Sequence, residues 1–136
     1  MENQQAVSLD ALNLNKRCEQ GSEFQYMDEN DNPTGVFLTV IGGHAEKIKS
    51  ASFAAYDRQA RLEAQAKKRG KEVEPKALEE IAEENLKITA LRVVAWRGIT
   101  EECTQENVLR LLRSNALVVR QVIEHSENLA NFTQSK

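Results

Sequence analysis

Several things are scarce in this sequence, and each scarcity excludes something. No stretch approaches the roughly 18 consecutive apolar residues that would span a bilayer, so no membrane-spanning helix is expected. The start, Met1-Glu2-Asn3-Gln4-Gln5, lacks the basic flank and apolar centre of a secretory signal, and a cytoplasmic protein is expected. There are only two cysteines, Cys18 and Cys103, far apart and in unlike contexts. A chain of this size does not need a disulfide to hold its core, so a reducing compartment fits. An excess of positive charge is also missing: 18 Lys+Arg stand against 21 Asp+Glu, a formal charge of -3, which gives no overall attraction to nucleic acid or anionic lipid. Aromatic residues make up only 5%.

What is present is enough to fold. Apolar residues reach 40% and charged residues 29%, too apolar and too evenly charged for disorder throughout. At 136 residues the chain matches the commonest size of a single domain, with room for one core.

Residues 1–22 are polar, with only Val7, Leu9, Leu12 and Leu14 as a sparse apolar set, and are read as a weakly ordered arm. From Glu23 to Ile41 the pattern becomes β-branched and aromatic (Phe24, Tyr26, then Val36, Phe37, Leu38, Val40, Ile41), around the turn-forming stretch 28–35. This predicts a β-hairpin over 23–41 whose second strand, apolar on both faces around Thr39, must be covered on each side. After Gly42-Gly43, residues 44–68 are rich in Ala, Glu, Gln, Lys and Arg and predict a long helix. Its stripe (Ile48, Ala51, Ala55, Leu62, Ala66) is thin, with Phe53 and Tyr56 about a third of a turn away. Alanine buries little, so this helix is expected to be lightly held.

A second helix is expected over 75–97, beginning at Pro75 and apolar almost all round from Leu86 to Trp96. A third, over 104–113, is capped by Thr104 with Glu106 in its first turn, and a fourth runs over 115–132 behind Ser114-Asn115. Residues 133–136 are read as a tail. The fold class is therefore α+β and mostly α: an N-terminal β-hairpin followed by about four helices, forming one domain over 23–132. No internal repeat and no long heptad run is visible.

Motifs for chemistry are weak. Asp28-x-Asn30-x-Asn32 opens like a calcium loop, but Pro33 and Thr39 stand where glycine and a bidentate glutamate are needed, so a hairpin turn is the better reading. Cys18, His44, Cys103 and His125 lack the two-to-five-residue spacing of a zinc site. No local signature supports either cysteine as a nucleophile activated by His44 or His125. Gly42-Gly43-His44 falls far short of a phosphate-binding loop. The basic run 67–71 has no interleaved aromatic and is flanked by Glu63, Glu72 and Glu74, which reads as a solvated turn and not a nucleic-acid patch. Trp96, at the end of the apolar helix, reads as a core anchor. No enzyme, metal or cofactor is expected.

One pattern resembles a known family. Val93-Val94-Ala95-Trp96-Arg97-Gly98-Ile99, then Thr104-Gln105-Glu106-Asn107-Val108 with Leu111-Leu112, then Val119-Arg120-Gln121-Val122 and a closing Asn131-Phe132, is similar to the C-terminal pattern of tail assembly chaperones from long-tailed bacteriophages. The upstream order of hairpin and Ala/Arg/Glu-rich helix is similar too, so the likeness covers about residues 23–132. Gly43-His44 departs from the Asp-Ser type helix cap of many members.

The resemblance implies a non-enzymatic protein of phage or prophage origin. It would bind the tape measure protein and the major tail tube protein during virion assembly in the host cytoplasm, and be absent from the mature virion. Many members also exist in a longer frameshifted form. The implied structural motif comprises Trp96, Arg97, Gly98, Glu106, Asn107, Leu111, Leu112, Gln121, Asn131 and Phe132. Phe53, Tyr56 and Leu62 on the first long helix are the expected partner-binding residues, that helix and the hairpin forming the partner-binding half and residues 75–132 the core. A homo-oligomer is compatible with this reading, whereas nucleic acid and membrane are not expected as partners. The alternative is a structural head-to-tail or tail connector component retained in the virion.

Overall fold

The computed structural model describes residues 6–133. A single 3-10 turn (Asp10–Leu12) leads into the one-turn helix α1 (Leu14–Arg17), and an antiparallel hairpin follows, β1 (Ser22–Met27) and β2 (Pro33–Val40). Two long helices come next, α2 (Glu46–Lys68) and α3 (Pro75–Arg92), then a third strand, β3 (Val93–Arg97). The chain closes with α4 (Gln105–Ser114), α5 (Ala116–Glu127) and α6 (Ala130–Thr133). The protein is α+β and mostly helical, with the hairpin near its N-terminus.

The hairpin turns on Asp28, whose Oδ1 accepts the backbone N–H groups of Asn30 and Asn32, both at 2.9 Å. Asp31 takes a left-handed φ of 60° that its short polar side chain tolerates. The calcium-like Asp28-x-Asn30-x-Asn32 spacing thus serves the chain's own backbone.

The largest departure from the sequence reading is at residues 75–97, which are not one helix. Helix α3 stops at Arg92, Val93 turns extended (φ −86°, ψ 116°), and the chain passes without a loop into β3, which pairs antiparallel with β2. The stretch that looked apolar all round is the end of a helix followed by a strand. No glycine or proline marks the change. What decides it is tertiary: β2 needs a second ladder partner, and Val93, Val94 and Trp96 are β-branched or aromatic residues that suit a pleated surface. The sheet order is β1-β2-β3.

On the sheet's inner face Leu38 and Val40 are wholly buried, beside Phe24, Tyr26, Val93 and Trp96. The core closes over them with Ile48, Ala90, Val108, Leu112, Val118, Val122 and Phe132. The outer face carries Glu23, Phe37, Thr39, Ala95 and Arg97. The strand apolar on both faces is therefore covered by helices on one side only. On the other, the Arg97 guanidinium lies 3.8 Å over the Phe37 ring and is held there by two hydrogen bonds to Glu23, at 2.9 and 3.1 Å. These bonds lower the Glu23 carboxyl's pKa.

Three further expectations are corrected. The hairpin belongs to the core, because β2 supplies Leu38 and Val40, both fully buried in it. The helix expected over 115–132 breaks at Asn128, which accepts from Ala130 N–H and starts α6. The N-terminal arm is tied down at Cys18, which is fully buried, and Gly42 donates to the Cys18 carbonyl at 2.6 Å. A side chain at Gly42 would place its Cβ 2.6 Å from Cys18 Cβ, which is why glycine stands there. Residues 1–5 of the arm and 134–136 of the tail lie outside the described residues.

Candidate partner surface

Helix α2 has 23 residues, so it is about 34 Å long at ~1.5 Å per residue. Only Ile48 and Ala55 on it are buried, and on α3 nothing before Thr89 is buried. Past Ala55 the two helices therefore form an antiparallel hairpin that stands away from the core. The sequence explains this: alanine and charged residues make a stable helix but offer little area to bury. Ion pairs take over some of the holding, Arg58 with Glu84 between α2 and α3, and Arg113 with Glu83 between α4 and α3. The basic run 67–71 is exposed at the tip, with Gly70 at φ 70° ending the helix.

The three expected partner residues separate. Phe53 (67% exposed) and Tyr56 (75% exposed) stand one turn apart on the solvent side of α2. Leu62 lies seven residues, two turns, beyond buried Ala55, shares its α3-facing side, and is half-buried. An unforeseen feature lies on the flank of α2 away from the aromatics: a groove of about 420 Å³ between α2, α3 and α4, lined by Ala54, Ala55, Ile88, Leu91 and Leu109, with Lys87 among its walls. Three helices contribute to it, so no linear spacing announces it.

The residues of the family-like pattern are spread through the fold and hold it together. Trp96 sits half-buried on β3 opposite Leu38, its indole N–H donating to the Glu101 carbonyl at 2.9 Å, so it anchors a strand and not a helix end. Gly98 has φ 86° and abuts the Gly35 backbone, which no side chain permits. Thr104 caps α4 by accepting from Asn107 N–H at 3.1 Å, Asn107 donates to the Glu102 carbonyl, and exposed Glu106 lies in the helix's positive first turn. Leu112 is buried and Leu111 half-buried on α4. Gln121 bonds both backbone groups of Met27, Asn131 donates to the His125 carbonyl, and Phe132 is buried.

The remaining reactive side chains are dispersed. Burial raises the pKa of both Cys18 and Cys103, which keeps the thiols protonated. His44 is exposed, whereas His125 is half-buried under Phe24, 3.0 Å from Ser22 Oγ, and burial lowers its pKa. Among the described residues no three His, Cys, Asp or Glu side chains gather as metal ligands, and no helix is long and apolar enough to cross a membrane.

Compared with protein-family models, with curated proteins and with solved structures, the chain finds no match.

Proposed function

We propose that this chain is a non-enzymatic tail assembly chaperone of a long-tailed bacteriophage. It binds the tape measure protein and the major tail tube protein in the host cytoplasm while the tail is built, and leaves before the virion is complete. The observation that carries this reading is the projecting α2, with Phe53 and Tyr56 exposed on its solvent side. A tape measure protein is a long helical chain whose apolar surface aggregates unless covered. A long helix with two exposed aromatic anchors suits lying along it. The sequence pattern over 93–132 supports the same reading.

The alternative is a head-to-tail or tail connector component that stays in the virion. The third strand gives it a larger sheet than a hairpin alone, but the sheet's inner face is filled by the chain's own helices.

Affinity capture of the tagged protein from infected or induced cells, followed by mass spectrometry, tests the proposal. A very long helical protein and the major tail protein are expected with the unaltered chain, and a depleted yield with Phe53→Ala/Tyr56→Ala. Finding the chain itself in purified virions supports the connector instead.

A further inference from the structure

The chain carries both a plug and a socket. In the arm, Ser8 Oγ accepts from Ala11 N–H at 3.2 Å, and Arg17 donates to the Ala11 carbonyl at 3.0 Å. The backbone closes as a 3-10 turn through Leu12 N–H to Leu9 O at 3.0 Å. In such a turn residues three apart eclipse, so Leu9 and Leu12 stand one above the other. They are 87% and 67% exposed, and Val7 beside them is 64% exposed. A turn held by side-chain hydrogen bonds, yet presenting its leucines to water, is the reverse of what folding alone selects.

The socket is the open groove between α2, α3 and α4, whose apolar lining (Ala54, Ile88, Leu91, Leu109) is left uncovered by the chain's own arm. The two also complement each other in charge. Asp10 lies between the two leucines, and Lys87, in the groove wall, has no ion-pair partner among the described residues. Glu84, the carboxylate beside it in the lining, is engaged by Arg58.

We infer that the groove receives residues 7–12 of a second copy of this chain, with Leu9 and Leu12 seated against Ile88, Leu91 and Leu109 and Asp10 paired to Lys87. The occupant is a second copy because one sequence carries both complementary halves, each unpartnered among the described residues of the single chain. The inference holds whether or not the protein serves in tail assembly.

Sedimentation velocity on the full chain, across a concentration series, tests it. The unaltered protein is expected to grow beyond the 15.3 kDa monomer. Leu9→Glu/Leu12→Glu changes only exposed side chains, and Ala54→Glu places a carboxylate on an exposed position of the groove wall; circular dichroism checks that both still fold. Each variant alone should associate at least about tenfold more weakly. Mixed together, they should form a heterocomplex, because one retains the groove and the other the arm. A protein that stays monomeric at every concentration, an arm variant that associates like the unaltered chain, or a mixture that regains nothing overturns the inference.

Discussion

Gln121 on α5 closes the edge of β1 by engaging Met27 on both sides of its backbone: its amide oxygen accepts the Met27 N–H at 3.1 Å and its amide nitrogen donates to the Met27 carbonyl at 2.8 Å. One side chain thereby does what a neighbouring strand would do at that position. It lies just past the irregularity between Gln25 and Met27, where the β1–β2 ladder loses register. Gln121→Leu should cost about 1–3 kcal/mol, because both half-buried backbone groups lose their partner. Urea denaturation measures it, and a cost well below that range contradicts the role.

Trp96→Ala should cost about 2–4 kcal/mol, somewhat under the ~3–5 typical of a fully buried large aromatic, since Trp96 is only half-buried. Trp96→Phe keeps most of the packing and loses the bond to the Glu101 carbonyl, a loss of about 1 kcal/mol. The difference between the two variants separates packing from hydrogen bonding.

How much of this was legible in the sequence depended on whether the signal was local. The hairpin was, because the Asp28 side chain makes the turn by accepting the backbone N–H groups of Asn30 and Asn32. So was the start of α4, because Thr104 and Asn107 cap within one turn. The strand β3 was not. Helix and strand meet at Arg92–Val93 with no intervening turn residue, and only β2, more than fifty residues upstream, makes the segment extended. The candidate surface was half legible. Two aromatics on an alanine-rich helix were visible as outliers, but Leu62's position toward α3 and the groove shared with Leu109 depend on how three helices pack.

Stability should fall as the pH drops from about 7.5 to 5.5, and His125 should account for the slope. Its neighbours are Ser22 and Phe24 from β1, with Glu124 and Asn131 bordering the same recess. Burial lowers its folded pKa below the ordinary 6.5, so the unfolded chain binds the proton more readily. The stabilisation from keeping it neutral is full above the unfolded pKa and is lost as pH falls through the folded one. The lowered carboxylates Glu23, Glu83 and Glu101 lose theirs only further down, below about 4.5. Urea midpoints for the protein and for His125→Gln, measured over this range, should converge toward low pH. Parallel curves contradict the assignment.

Gly98→Ala should be among the most damaging single-methyl changes in the chain. It forces a side chain into a left-handed conformation and against the Gly35 backbone. The expected cost exceeds the ~1 kcal/mol of the conformational change alone, because backbone and not a flexible side chain must yield. Thermal unfolding reads it directly. A variant as stable as the parent shows that the β3–α4 connection can be rearranged.

The central claim is that the exposed face of α2 forms the partner-binding surface while β2, α4 and α5 form the core, and hydrogen exchange tests it most directly. In the free chain, residues 56–68 should open more readily than 105–127, since nothing past Ala55 on α2 is buried. Adding the partner that affinity capture recovers should raise protection along α2. Equal protection of α2 and α5 in the free chain, or a partner that protects only α4 to α6, contradicts the account.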